Sequence, residues 1–140
     1  MAYVSKELKE RVAPKLRALA KSYGLTATVA VHHHSTLVLN VSKGRIDFIK
    51  DNADTLYEKN HWAPDNEQDH ERNLNRKYMQ VSHHWTDLFT GDAKEFLDKA
   101  FAIMHEGNHD NSDIMTDYWD VGWYTDINIG KWDKPYTLTV

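Results

Sequence analysis

Cysteine is absent from all 140 residues. That excludes structural disulfides, thiolate zinc sites and a thiol nucleophile. No run approaches the length needed to span a membrane, and no basic n-region followed by an apolar h-region opens the chain. A reducing cytoplasm is therefore the expected compartment. Excess charge of one sign is also scarce, since 21 acidic and 17 basic residues leave a net charge of −4. Such a molecule exerts no long-range pull on nucleic acid, and it is too weakly acidic to imitate DNA. Neither a Gly-rich phosphate loop nor a nucleophile elbow occurs. No cofactor and no dedicated metal site is expected.

Aromatic side chains and histidine are plentiful. Five Trp, seven Tyr and nine His in so short a chain must fill a core or line a contact surface. With 41% hydrophobic and 27% charged residues, the composition suits one globular domain over residues 1–140.

Ser5 can cap a helix whose apolar residues Leu8, Val12, Leu16, Leu19 and Tyr23 recur at helical spacing, with Gly24 just beyond its end. Pro14 should bend that helix. In "TATVAVHHHSTLVLNVS", Ala27, Val29 and Val31 share one strand face, and Leu37, Leu39 and Val41 share another, so a hairpin is expected with its join at His33 to Ser35. After a Lys43-Gly44 turn, "RIDFI" reads as a third strand with Ile46 and Phe48 inward. Residues 50–78 are polar and weakly periodic, as in an insertion with at most a short helix near 53–60. "YMQVS" reads as a fourth strand. Asp92 and Glu95 suggest a capping box before a second helix buried through Phe96, Leu97, Ala100, Ile103 and Met104. "GWYTDINIG" and "PYTLTV" alternate as strands. The expected fold is α+β, an antiparallel sheet of about four to six strands with two main helices packed on one face.

Several catalytic motifs occur only in part. "MHEGNHD" contains H-E-x-x-H, but Gly107 and Asn108 separate His105 from His109 just after the apolar stripe ends. A helix that stops there cannot present both imidazoles to one zinc ion. "HST" and "HWT" both read H-x-T at expected strand edges, where residues i and i+2 point the same way. His34, Thr36, His84 and Thr86 could then supply an acid, a base and two phosphate donors. That pattern resembles the two-histidine phosphoesterases, which work without metal, although Asp87 stands where an apolar residue normally follows the second Thr. His32, His33 and His34 alternate in direction, so at most two of them can share an ion. Any basic patch would have to come from Arg72, Arg76 and Lys77.

The most unusual stretch is "NSDIMTDYWDVGWYTDINIGKWDKPY". Aromatic anchors inside an acidic rim make a recognition surface, and the candidate partner-binding residues are Asp113, Asp117, Tyr118, Trp119, Asp120, Trp123, Tyr124, Asp126 and Trp132. The competing reading places the rings in the core and the aspartates in turns.

The segments "YVSKELK", "HSTLVLNVSKGRIDF", "YMQVS" and "SDIMTDYWDVGWYTDINIGKWDKPY" resemble a family of small proteins from tailed bacteriophages. Related segments occur as associated domains of large polyvalent proteins of mobile elements. Residues 50–78 fall outside the resemblance. It implies a phage protein acting in the cytoplasm of the infected host, and it carries over no catalytic residue. The expected function is non-enzymatic binding of a host or phage protein, such as would blunt a host defence. The alternative is the metal-free phosphodiesterase, acting on cyclic or oligonucleotide phosphodiesters.

Overall fold

A computed structural model describes residues 3–106 and 123–139. Helix α1, Lys6–Ser22, begins as its composition requires: the Ser5 hydroxyl accepts from the Leu8 backbone N–H at 3.0 Å. Leu8, Val12, Ala13, Leu16 and Ala20 are buried, and the helix continues through Pro14, which lies on the exposed side. There water can satisfy the carbonyl that loses its partner. Gly24 follows at φ +73°, where a side chain would be strained.

Strands β1, Leu25–His32, and β2, Thr36–Gly44, form the expected hairpin, with a bulge between Thr26 and Ala27. "RIDFI" is not a strand. Asp47 instead caps helix α2, Phe48–Lys59, by accepting from the Lys50 N–H at 3.0 Å. Ile46 and Phe48 are both buried, so their i, i+2 spacing suited a helix entry as well as a strand. The supposed insertion is also ordered, because α2 pairs with a second helix, α3, Asn66–Leu74. Buried Asn52, Ala53 and Thr55 seat α2 on the domain, and Asn66 Nδ2 donates to the Tyr57 carbonyl at 3.0 Å to hold α3 against it.

Strand β3, Met79–Val81, leads into a 3-10 helix, His83–Leu88, and then into α4, Gly91–Met104. The α4 cap is Thr90, not Asp92. The anticipated box does not form because Asp92 faces Arg45 at 3.4 Å, while Glu95 takes the Tyr23 hydroxyl at 2.6 Å and Lys99 at 2.8 Å. Strand β4, Tyr124–Ile129, and the short β5, Thr137–Leu138, complete the described chain.

The sheet order is β1-β2-β4-β3, with β5 beside the far end of β2. Antiparallel pairing joins β1 to β2 and β3 to β4, whereas β2 pairs in parallel with both β4 and β5. The sheet is thus mixed. Parallel pairing needs a long crossover, and helices α2, α3 and α4 lie between β2 and β4 in the chain. Leu37, Leu39, Val41, Ile127, Ile129 and Val81 join the apolar stripes of α1 and α4 in one core. Phe48 sits at its centre with ring centroids 6.0 Å from Phe96, 6.3 Å from Phe89 and 5.8 Å from Tyr136. Among the described residues, no helix is long and apolar enough to cross a membrane.

A candidate site at the histidine-rich end of the sheet

The parallel β2–β4 pair has a spatial consequence. Both strands begin at one end of the sheet, and β3, running the other way beside β4, finishes there. The β1–β2 turn lies at the same end. Its His33 and His34 take φ values of 54° and 60°, and the Ser35 N–H bonds the His32 carbonyl at 3.2 Å. Consecutive left-handed residues match the twist of a hairpin, but they ordinarily call for Asn or Gly. The His34 carbonyl accepts from the Val4 N–H at 2.7 Å, and the Ser35 carbonyl from the Tyr124 N–H at 2.9 Å. The turn therefore ties the entry of α1 to the start of β4.

Histidines converge here from three more elements. His32 ends β1, His83 and His84 open the 3-10 helix, and His105 caps the C-terminus of α4. Six of the nine histidines thus gather at one end; His61 and His70 lie in the α2–α3 region, and His109 is outside the described residues. Ring centroids of His83 and His84 are 3.8 Å apart, and those of His83 and His105 are 4.6 Å apart. Phe101 lies 6.1 Å from His83 and 6.3 Å from His105. His105 Nε2 shares a 2.7 Å hydrogen bond with the Thr125 hydroxyl.

Partial desolvation, then neighbouring imidazoles, holds the exposed His83 and the half-buried His105 below the ordinary histidine pKa; for His83 the Asp126 carboxylate opposes the shift. Asp126 itself is pushed up by burial, against a hydrogen bond from Gln80 and the charges of His32 and His83. Three exposed rings sit on segments that meet this end, with Tyr3 (59% of full exposure) next to Val4, Trp85 (60%) next to His84 and Tyr124 (51%) at the start of β4. A cleft of about 380 Å³ opens beside them, lined by Tyr3, Ser5, Glu7, Leu8, Arg11 and Trp123.

The candidate partner-binding residues divide. Tyr124 and Asp126 stand on the sheet face opposite the core. Trp123 packs half-buried against the core, donates Nε1–H to the Met104 carbonyl at 2.8 Å and lines the cleft. Trp132, 79% exposed, lies in the Lys131–Lys134 turn beyond the other end of β4, roughly 20 Å of strand away. Asp113, Asp117, Tyr118, Trp119 and Asp120 fall outside the described residues.

The two H-x-T pairs lie at the same end of the sheet, but the second is not in a strand. Three residues complete a 3-10 turn, so His84 and Thr86 do not project alike. Thr86 instead lies toward Asp98, whose carboxyl it helps to hold below the ordinary value after Lys94. His34 is a turn residue, and Thr36 opens β2. The helix bearing the start of H-E-x-x-H stops at Met104, as its Gly-Asn sequel implied. Among the described residues, no group of three His, Asp or Glu is spaced to hold a metal ion. Arg72 and Arg76 line a cleft of about 240 Å³ between α2 and α3, but Asp69 occupies Arg72 at 2.7 Å.

The meeting of His83 with His105 had no sequence signal, because 22 positions separate them and packing of the 3-10 helix on α4 brings them together. Only the His83-His84 doublet was visible. No protein-family model, curated protein or solved structure matches the chain.

Proposed function

We propose that this chain is a non-enzymatic binding protein whose histidine-rich end engages a host or phage protein inside the infected cell. The observation that carries the reading is the placement of Tyr3, Trp85 and Tyr124. Three large rings, each more than half exposed, belong to separate segments that meet at one end of the domain. Aromatic residues of this kind dominate the binding energy of protein interfaces. The strained His33-His34 turn lies among them, and strain of this kind concentrates at functional sites. The tailed-phage resemblance supplies the setting.

The test compares wild type with a Trp85→Ala/Tyr124→Ala variant in affinity purification from infected cells. Wild type should retain a stoichiometric partner, and the variant should lose at least tenfold of it while keeping its unfolding midpoint. Trp123→Ala is the contrasting control, expected to lower the midpoint itself. Undiminished capture by the double variant would defeat the assignment.

The phosphodiesterase is the second reading, favoured by one observation, the shared end of the two H-x-T pairs. It predicts turnover of a cyclic nucleotide that His34→Ala and His84→Ala each abolish. The placement of Thr86 toward Asp98 counts against it.

A further inference from the structure

We propose that the clustered rings of His83, His84 and His105 are a proton-operated latch, releasing the start of the 3-10 helix from the end of α4 in mildly acidic solution. The inference goes beyond the binding reading and does not depend on it. The contact between these segments is largely imidazole against imidazole, at 3.8 and 4.6 Å between centroids, with Phe101 beneath. Neutral rings meet there tilted and edge to face, at 41° and 61°, but a proton on any one places a cation against its neighbours.

Among the described residues few groups face His83, and His105 also shares a 2.7 Å hydrogen bond with the Thr125 hydroxyl of β4. The 3-10 helix contributes His84, α4 contributes His105 and Phe101, and β4 contributes Asp126. Among the described residues Asp126 is the opposite charge acting on His83, and it also feels His32 and Gln80. Partial desolvation and the His84 charge outweigh it, so both His83 and His105 resist protonation in the closed form. Once released, each imidazole returns toward its ordinary value of about 6.5. Acid therefore favours release, by up to about tenfold in the opening constant per pH unit for each proton taken up.

The far end of the 3-10 helix is held differently. Asn52 Nδ2 donates to the Leu88 carbonyl at 3.1 Å, Asp87 meets Lys94 at 3.4 Å, and Thr86 lies toward Asp98. Asp98 is held below its ordinary pKa, chiefly by Lys94, so these ties persist well below the histidine range. Release is thus confined to the first turn, which carries Trp85.

Hydrogen exchange by NMR on the full chain, corrected for the intrinsic pH dependence, reads this directly. The Trp85 amide, bonded to the Ser82 carbonyl at 3.0 Å, should lose protection about tenfold per pH unit below pH 6.5. The Phe89 amide, bonded to the Thr86 carbonyl at 3.1 Å, should not change. His83→Phe keeps a ring against Phe101 without a proton site, and should remove most of the Trp85 response. If that variant does not fold, His84→Gln at an exposed position should reduce the response in the same way. Constant Trp85 protection from pH 7.5 to 5, an undiminished response in the variants, or parallel loss at Phe89 would each overturn the latch.

Discussion

His33 and His34 occupy the left-handed region without the freedom of glycine. Histidine enters that region more readily than most residues, yet a non-glycine side chain there still costs about 1–2 kcal/mol. Replacing His34 with Gly removes the strain but enlarges the entropy of the unfolded chain, which returns part of the gain. The expected net effect of His34→Gly is stabilisation by about 0.5–1 kcal/mol, read as a higher urea midpoint at unchanged slope. Chosen for folding alone, the turn would carry Asn-Gly, so a stabilised variant with weakened partner capture would tie the strain to function. A lowered midpoint would show that the imidazole makes a contact that compensates its backbone.

At the scale of elements, legibility followed how local the determining contacts are. Helix α1, the β1–β2 hairpin, the α4 stripe and the alternation of β4 are encoded in neighbouring residues, and each was readable from spacing. Helix α2 was legible only in its second half, near 53–60, and α3 was not. Asn66 and Asn52 are buried because each amide bonds a distant carbonyl, and no apolar period announces that kind of seat. The start of α4 is another case. Asp51 of α2 accepts from both the Thr90 N–H and the Thr90 hydroxyl, so the cap is anchored by a residue 39 positions away rather than by Asp92 within its own turn. Loss of this tie through Asp51→Ala should cost about 1–2 kcal/mol, the worth of charge-assisted hydrogen bonds near a helix start. Thr90→Ala should cost less when Asp51 is already gone, and a double-mutant cycle on urea midpoints measures that coupling. Strict additivity would show that the two residues act separately.

For the whole molecule, pH acts on shifted groups that titrate in separate windows. His83 and His105 are depressed below about 6.5, so the unfolded chain binds more protons than the folded one as acidity enters that range. Their contribution is complete above the unfolded value and declines as pH falls through it, by at most about 1.4 kcal/mol per pH unit for each proton. Asp54, Glu95 and Asp98 are also lowered, through partners His70, Lys99 and Lys94 in turn. Their contribution is lost only once pH drops below the ordinary carboxylate range near 4. Asp126 has the opposite sign: its raised value favours the folded state only when protonated, so it adds stability in acid and loses it as pH rises through the folded pKa. Stability should therefore hold level above about pH 7, fall once as pH drops below about 6.5, and fall again below about 4. Urea midpoints across pH 8 to 3 draw this curve, and His83→Phe should flatten the first descent while leaving the second. A single fall confined to the carboxylate range would mean that the converging histidines titrate alike in folded and unfolded chains, and that their gathering is geometric without being energetic.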